Sequence, residues 1–176
     1  MGDPKKTKKK FETPRHPWVK EVIDAEKSLT RDYGLKNKKE IWKAKSKLRH
    51  FMAQSKDYSK LDSSDPQIES FLQRLRKLGL INESQSLDDV LGLEVKDILE
   101  RRLQTVVYRK GLTNSIRQAR QFIVHNHVTV NGVIVDVPGY IVEVDKENTI
   151  EISTKSPLAQ ETHPEIVNAK KKAESQ

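Results

Sequence analysis

A chain of 176 residues has room for one ordinary domain or two small ones. Its apolar share of 35% against 33% charged residues is low for a compact globular protein, so part of it is expected to order only against a partner. A net charge of +8 makes a polyanion the default partner, with nucleic acid ahead of an anionic membrane or an acidic protein.

There is no cysteine, which excludes disulfides and every thiolate-held metal site. The histidines show no metal-ligand spacing; His125 and His127, with no carboxylate beside them, suit an RNA-facing surface better than a metal, and no cofactor is expected. No segment has the apolar length needed to span a bilayer, so the sequence reads as a soluble, cytosolic protein with no membrane partner.

The charge is segregated. Residues 1–50 hold 16 Lys and Arg against 7 Asp and Glu, whereas residues 51–100 hold 6 against 10. Residues 101–135 hold 6 basic side chains and no acid, and residues 136–176 hold 5 against 8. Solubility alone calls for mixed signs, so two basic blocks between acidic ones imply two surfaces presented to a polyanion.

In chain order, residues 1–16 carry Lys5, Lys6, Lys8, Lys9 and Lys10 with no apolar period. They suit either a disordered solubilising tail or, as the overall charge favours, a basic arm that orders along phosphate. Pro17 fits the first turn of a helix running through Trp18, Val22 and Leu29 to a stop near Gly34. A second helix is predicted over 38–54, with Ile41, Ala44, Leu48, Phe51 and Met52 as its buried stripe. Lys39, Lys43, Lys47 and His50 fall on its other face, either simply solvated or, beside the lysine arm, tracking phosphate. Ser64-Asp65-Pro66 starts a third helix that ends at Gly79, and Ser86 starts a short fourth one ending at Gly92. This acidic block reads as scaffold.

From residue 95 the pattern changes. Val95, Leu99, Leu103, Val106 and Val107 predict one helix ending at Gly111, with Arg102 and Arg109 on one line of it, roughly 10 Å apart at 1.5 Å per residue. Ser115 caps a second helix with Ile116, Ala119, Phe122 and Ile123 inward and Arg117, Arg120 and Gln121 on an adjoining stripe. Its N-terminal N–H groups suit phosphate. His125-Asn126-His127 then leads into Val128-Thr129-Val130, the turn Asn131-Gly132 and Val133-Ile134-Val135. Asn-Gly between β-branched runs signals a hairpin, because both turn positions need positive φ. Further strands are predicted over 140–144 and 149–152. Interleaved Asn, Gln, His and Ser add groups that read RNA edges and 2′-hydroxyls, where a charge sink would need only lysine.

Arg101-Arg102-Leu103, Tyr108-Arg109-Lys110-Gly111, Ala119-Arg120-Gln121 and His125-Asn126-His127-Val128-Thr129-Val130-Asn131-Gly132 resemble the RNA-binding domain first described in small-subunit ribosomal protein four. That module is also attached to some pseudouridine synthases and tyrosyl-tRNA synthetases. Tyr33-Gly34-Leu35-Lys36-Asn37-Lys38-Lys39-Glu40, Leu91-Gly92-Leu93 and Ile98-Leu99-Glu100 extend the resemblance over about residues 14–160, to the archaeal and eukaryotic branch of the ribosomal protein itself.

The resemblance implies a structural component of the small ribosomal subunit that binds the five-prime domain of its rRNA and nucleates assembly. It also implies a place beside neighbouring small-subunit proteins and the channel by which mRNA enters, with a contribution to translational accuracy. Arg101, Arg102, Arg109, Ser115, Arg120, Gln121, His125 and Asn131 become expected RNA contacts, joined by Lys110, Asn114, Arg117, His127, Lys36, Asn37, Lys38, Lys39, Lys43 and Lys47. Many bacterial members carry an Arg where this chain has Ile116, with Arg117 beside it, and some relatives have a zinc site that a cysteine-free chain lacks.

The expected architecture is α+β: a basic arm (1–16), a helical domain (17–94), an RNA-binding module of two helices packed on a hairpin or short antiparallel sheet (95–155), and a flexible tail (156–176). An enzyme is disfavoured by the absence of a glycine-rich phosphate loop and of any nucleophile–base grouping. An assembly-only factor using the same module is the alternative, distinguished by its absence from mature subunits. DNA recognition would call for a helix suited to the major groove rather than this loop-rich surface.

Overall fold

The structure, a computed structural model, describes residues 9–61, 65–160, 163–165 and 168. The arm lysines at 5, 6 and 8, the Ser64 cap and the tail lysines at 170–172 lie outside these residues. The architecture is α+β, with a helical half and a smaller half of two helices against a three-stranded antiparallel sheet.

Helix α1 (Lys20–Asp32) leads through a tight turn at Gly34 into α2 (Lys38–Tyr58), one turn longer than its apolar period predicts. Ile41, Ala44, Leu48, Phe51 and Ser55, three or four residues apart, form the buried stripe of α2, and the Ser55 hydroxyl is satisfied there by donating to the Leu87 carbonyl at 2.7 Å. Helix α3 (Pro66–Lys77) starts with Pro66 behind an Asp65 cap that accepts from the Gln67 N–H at 3.0 Å. Short helices α4 (Leu87–Leu91) and α5 (Val95–Glu100) close this half, whose core joins Ile41, Phe51, Phe71, Leu75, Val90, Ile98 and Leu99.

The single helix expected over 95–111 is broken. Helix α5 stops at Glu100 and α6 spans Leu103–Arg109, because Arg102 is extended (φ −73°, ψ 141°). The segment after the hairpin crosses at this break: the Leu103 N–H donates to the Tyr140 carbonyl at 2.7 Å and the Val142 N–H to the Arg101 carbonyl at 2.8 Å. Periodicity is blind to this, since Leu99 and Leu103 keep helical spacing across the break while serving different cores. The same crossing replaces the strand expected over 140–144 with one isolated bridge between Arg102 and Ile141.

Helix α7 (Ile116–Val124) is capped by Ser115, which accepts from the Gln118 N–H, and buries Ala119, Phe122 and Ile123. The hairpin forms as expected: β1 (Val128–Val130) and β2 (Val133–Ile134) join through Asn131 (φ +51°) and Gly132 (φ +74°). After the short helix α8 (Val144–Glu147), β3 (Ile150–Ile152) pairs with the other edge of β1, giving the order β2-β1-β3. Leu103, Val107, Phe122, Ile123, Val128, Val142 and Ile150 make this second core.

Apolar contacts tie the halves at three points. Ile141 packs on the first core, Ile116 closes on Gly34, and Val144 meets Gly79. A Cβ at Gly34 would lie 2.5 Å from Ile116 Cγ2, so this positive-φ turn (φ +55°) also has to be bare. Ile116 is therefore a seat between the halves, while Arg117 beside it is exposed.

Phe122→Ala removes a ring from the second core and should lower stability by about 3–5 kcal/mol, read as a shift of the urea unfolding midpoint.

Candidate nucleic-acid interface

A cleft of about 710 Å³ separates the two halves. Lys10, Lys43 and Lys47 line it from the helical side, Arg102 and Arg120 from the α6–α7 side, with Glu40 among them. Two basic blocks far apart in sequence thus share one concave surface.

Glu40 organises it. Arg102 Nη2 donates to Glu40 Oε2 at 2.6 Å, and Arg120 donates to the same carboxylate at 3.0 Å and 3.2 Å. The Arg102 side chain is only 7% exposed and that of Glu40 18%. Beside them the buried Gln104 amide donates to the carbonyls of Gly34 (3.1 Å) and Ile116 (2.9 Å), while its oxygen faces Arg120. Burial pushes the Glu40 carboxyl up, but hydrogen bonds from Arg120 and Arg102 and their charges outweigh it, leaving the pKa below the ordinary 4.5.

The other sequence-predicted cations divide sharply. Arg101 turns inward to Glu147 (2.9 Å) and the Val142 carbonyl (3.1 Å), and Arg109 pairs with Glu100 at 2.8 Å. Arg102 and Arg109 do not share one helical line, because Arg102 is the N-cap of α6 and points at α2. Lys36, Asn37, Lys38, Lys39 and Lys43 are exposed at the start of α2, with Lys38 paired to Glu26 at 3.1 Å. Lys47 is half-buried, its Nζ 5.7 Å from the Phe51 ring centre, and burial together with the nearby Arg74 charge lowers its pKa.

On the module, Arg117, Gln121, His125 and Asn131 are exposed and Lys110 is half-exposed at the end of α6. The Ser115 hydroxyl is committed to its cap, and Asn114 donates to Gln118 and Glu165. His127 is half-buried, with Nδ1 2.9 Å from Ser156 Oγ and its ring edge-on to Phe122; the His125 ring stacks on it at 6.3 Å. Among the described residues no three His, Asp or Glu cluster as metal ligands, and no helix is long and apolar enough to cross a membrane.

The S4 domain model matches residues 101–148. A small ribosomal subunit protein uS4 of Thermoplasma acidophilum is 49% identical over 93% of this chain and 85% of its own length. The protein of that name from Methanococcus aeolicus is 46% identical over 99% of this chain and 100% of its own, and that from Saccharolobus solfataricus 51% over 86% and 85%. The chain belongs to the small ribosomal subunit protein uS4 family.

Three organising residues of this uS4-family chain escape a reading of its basic side chains: Glu40, Gln104 and Glu26. Glu26 is 2% exposed on α1 and accepts from the Trp42 indole at 3.0 Å, with Lys38 and Lys45 at 3.1 and 3.6 Å. Burial acts to raise its pKa, but the Trp42 and Lys38 hydrogen bonds and the lysine charges bring it below the ordinary value. A signal did exist for Glu40, which is the one acid among Lys36, Lys38, Lys39, Lys43, Lys45, Lys47 and Arg49 and sits beside the buried Ile41 and Ala44.

Because the folded pKa of Glu40 lies below its unfolded value, its contribution is complete above about pH 4.5 and is lost as pH falls through the folded value. Glu40→Gln leaves two guanidinium groups uncompensated. It should cost about 3 kcal/mol at pH 7 and make the acid limb of a stability–pH curve shallower than that of the native chain.

Proposed function

We propose that this chain is a structural, non-enzymatic protein of the small ribosomal subunit that grips rRNA in the cleft between its two halves. The observation that carries the reading is the convergence of both basic blocks on that cleft. Phosphates would enter along Lys39, Lys43 and Lys47. Lys47 bears a cation in a partly desolvated, like-charged setting, so an incoming anion relieves it where bulk water does not.

Base edges and 2′-hydroxyls would fall to Gln121, His125 and Asn131, with Lys110 and Arg117 on the phosphates around them. Arg101, Arg102 and Arg120 act chiefly by fixing this surface, though Arg120, with a side chain 25% exposed, can share a hydrogen with a phosphate at the cleft wall. A preformed surface lowers the ordering cost of binding.

The names and coverage of the uS4 relatives support a permanent ribosomal component over an assembly-only factor. Binding to the five-prime domain early in assembly, contact with neighbouring small-subunit proteins, a place near the channel by which mRNA enters, and residence in cytoplasmic ribosomes complete the reading.

The test is the salt dependence of binding to a five-prime-domain transcript. Lys39→Ala with Lys43→Ala should weaken binding and lower the slope of log K against log salt by about two units, roughly one for each phosphate no longer neutralised. An unchanged slope in a folded double variant would remove these lysines from the interface.

A further inference from the structure

Trp18 is 86% exposed, the highest value among the large hydrophobic side chains of the described residues. An indole in a core or interface is among the largest single contributors to burial, so one left in water marks a surface that meets something. The contrast with Trp42 is direct. That ring is half-buried, donates its N–H to Glu26 at 3.0 Å and lies 5.9 Å from Phe11. Among the described residues, the Trp18 indole has neither a hydrogen bond nor a ring partner.

Its backbone is nonetheless held. Pro17 precedes it, Val19 caps α1, and the Val19 carbonyl accepts from the Ile23 N–H at 3.0 Å. Two exposed cations, Arg15 and Lys20, flank it with the exposed His16, and among the described residues none of the three has an ion-pair partner. Through Val19 the indole adjoins a groove of about 950 Å³ lined by Lys9, Phe11, Arg15, His16, Val22 and Arg49. Of the acids in this neighbourhood, Glu12 is already paired with Arg49 at 2.9 Å, and Glu21 lies beside Lys20 in the first turn of α1.

We propose that Trp18 is a stacking platform for an unpaired RNA base, with Arg15, His16 and Lys20 holding the flanking phosphates. A nucleotide supplies a flat apolar face and an anion in one unit, whereas an apolar protein pocket matches the indole and leaves Arg15 and Lys20 unmet. The site extends the RNA-binding reading above and rests on it, but lies at the start of α1, outside the cleft. It would anchor a single-stranded element while the cleft takes folded RNA.

The experiment titrates the full chain with a five-prime-domain transcript, following intrinsic fluorescence and filter binding together. The difference between the native chain and Trp18→Phe isolates the Trp18 emission, which should be quenched as RNA saturates. Trp18→Phe should bind within about twofold of the native chain, and Trp18→Ala about tenfold more weakly, as expected for loss of one base stack. The Trp18→Ala salt slope should stay unchanged, because stacking releases no counterion, whereas Arg15→Ala with Lys20→Ala should flatten it.

Either an unquenched Trp18 at saturation or unweakened binding by Trp18→Ala overturns the stacking role and leaves the cleft untouched. An indole shielded only when other small-subunit proteins are added overturns it in favour of a protein partner. A native chain that does not bind the transcript at all removes both readings together.

Discussion

One carboxylate and two guanidinium groups set the relation between the halves of this protein. Glu40 comes from α2, Arg102 from the break between α5 and α6, and Arg120 from the middle of α7, so three elements meet at one anion. Buried pairs are weak sources of net stability, since desolvation consumes most of the Coulomb gain, but they are exacting about geometry. Apolar contacts such as Ile141 on the first core tolerate sliding; a carboxylate forked between two guanidiniums does not. The Arg102 Nε has no partner among the described residues, which adds to the cost of that side chain's position and to its dependence on Glu40.

The acids of the two acidic blocks acquire a purpose in the same terms. Glu147 holds Arg101 and Glu100 holds Arg109. The second basic block has six basic residues by sequence, but Arg101 and Arg102 face inward and the exposed Arg109 is paired, so net charge alone overstates the attraction it offers RNA. Among the described residues, Lys36, Lys39, Lys43 and Arg117 are exposed cations with no ion-pair partner.

Local chemistry made most of the fold legible. Asn131-Gly132 requires two positive φ values and has them, Asp65-Pro66 starts a helix, and the α2 stripe at Ile41, Ala44, Leu48 and Phe51 is buried. Illegible was whatever depended on a distant segment. Nothing near Arg102 announces that residues 138–142 will cross there and take its neighbours' hydrogen bonds. The same holds for side-chain direction at the site. Helical periodicity sorts apolar from polar faces, but it cannot distinguish an arginine facing solvent from one facing a carboxylate 62 residues away in sequence.

A carboxylate among the basic side chains of this cleft looks counterproductive, yet the balance favours it. Without Glu40, Arg102 and Arg120 would repel each other at short range, and the long side chains would relax toward water, widening the cleft and blurring its spacing. With it, the trio still carries a net positive charge, and Lys10, Lys43 and Lys47 add to that from the helical side. The cleft therefore gives up one unit of positive charge and keeps its basic side chains in a fixed array. For folded RNA, whose phosphates come at set distances, spacing selects among partners more sharply than one further charge would.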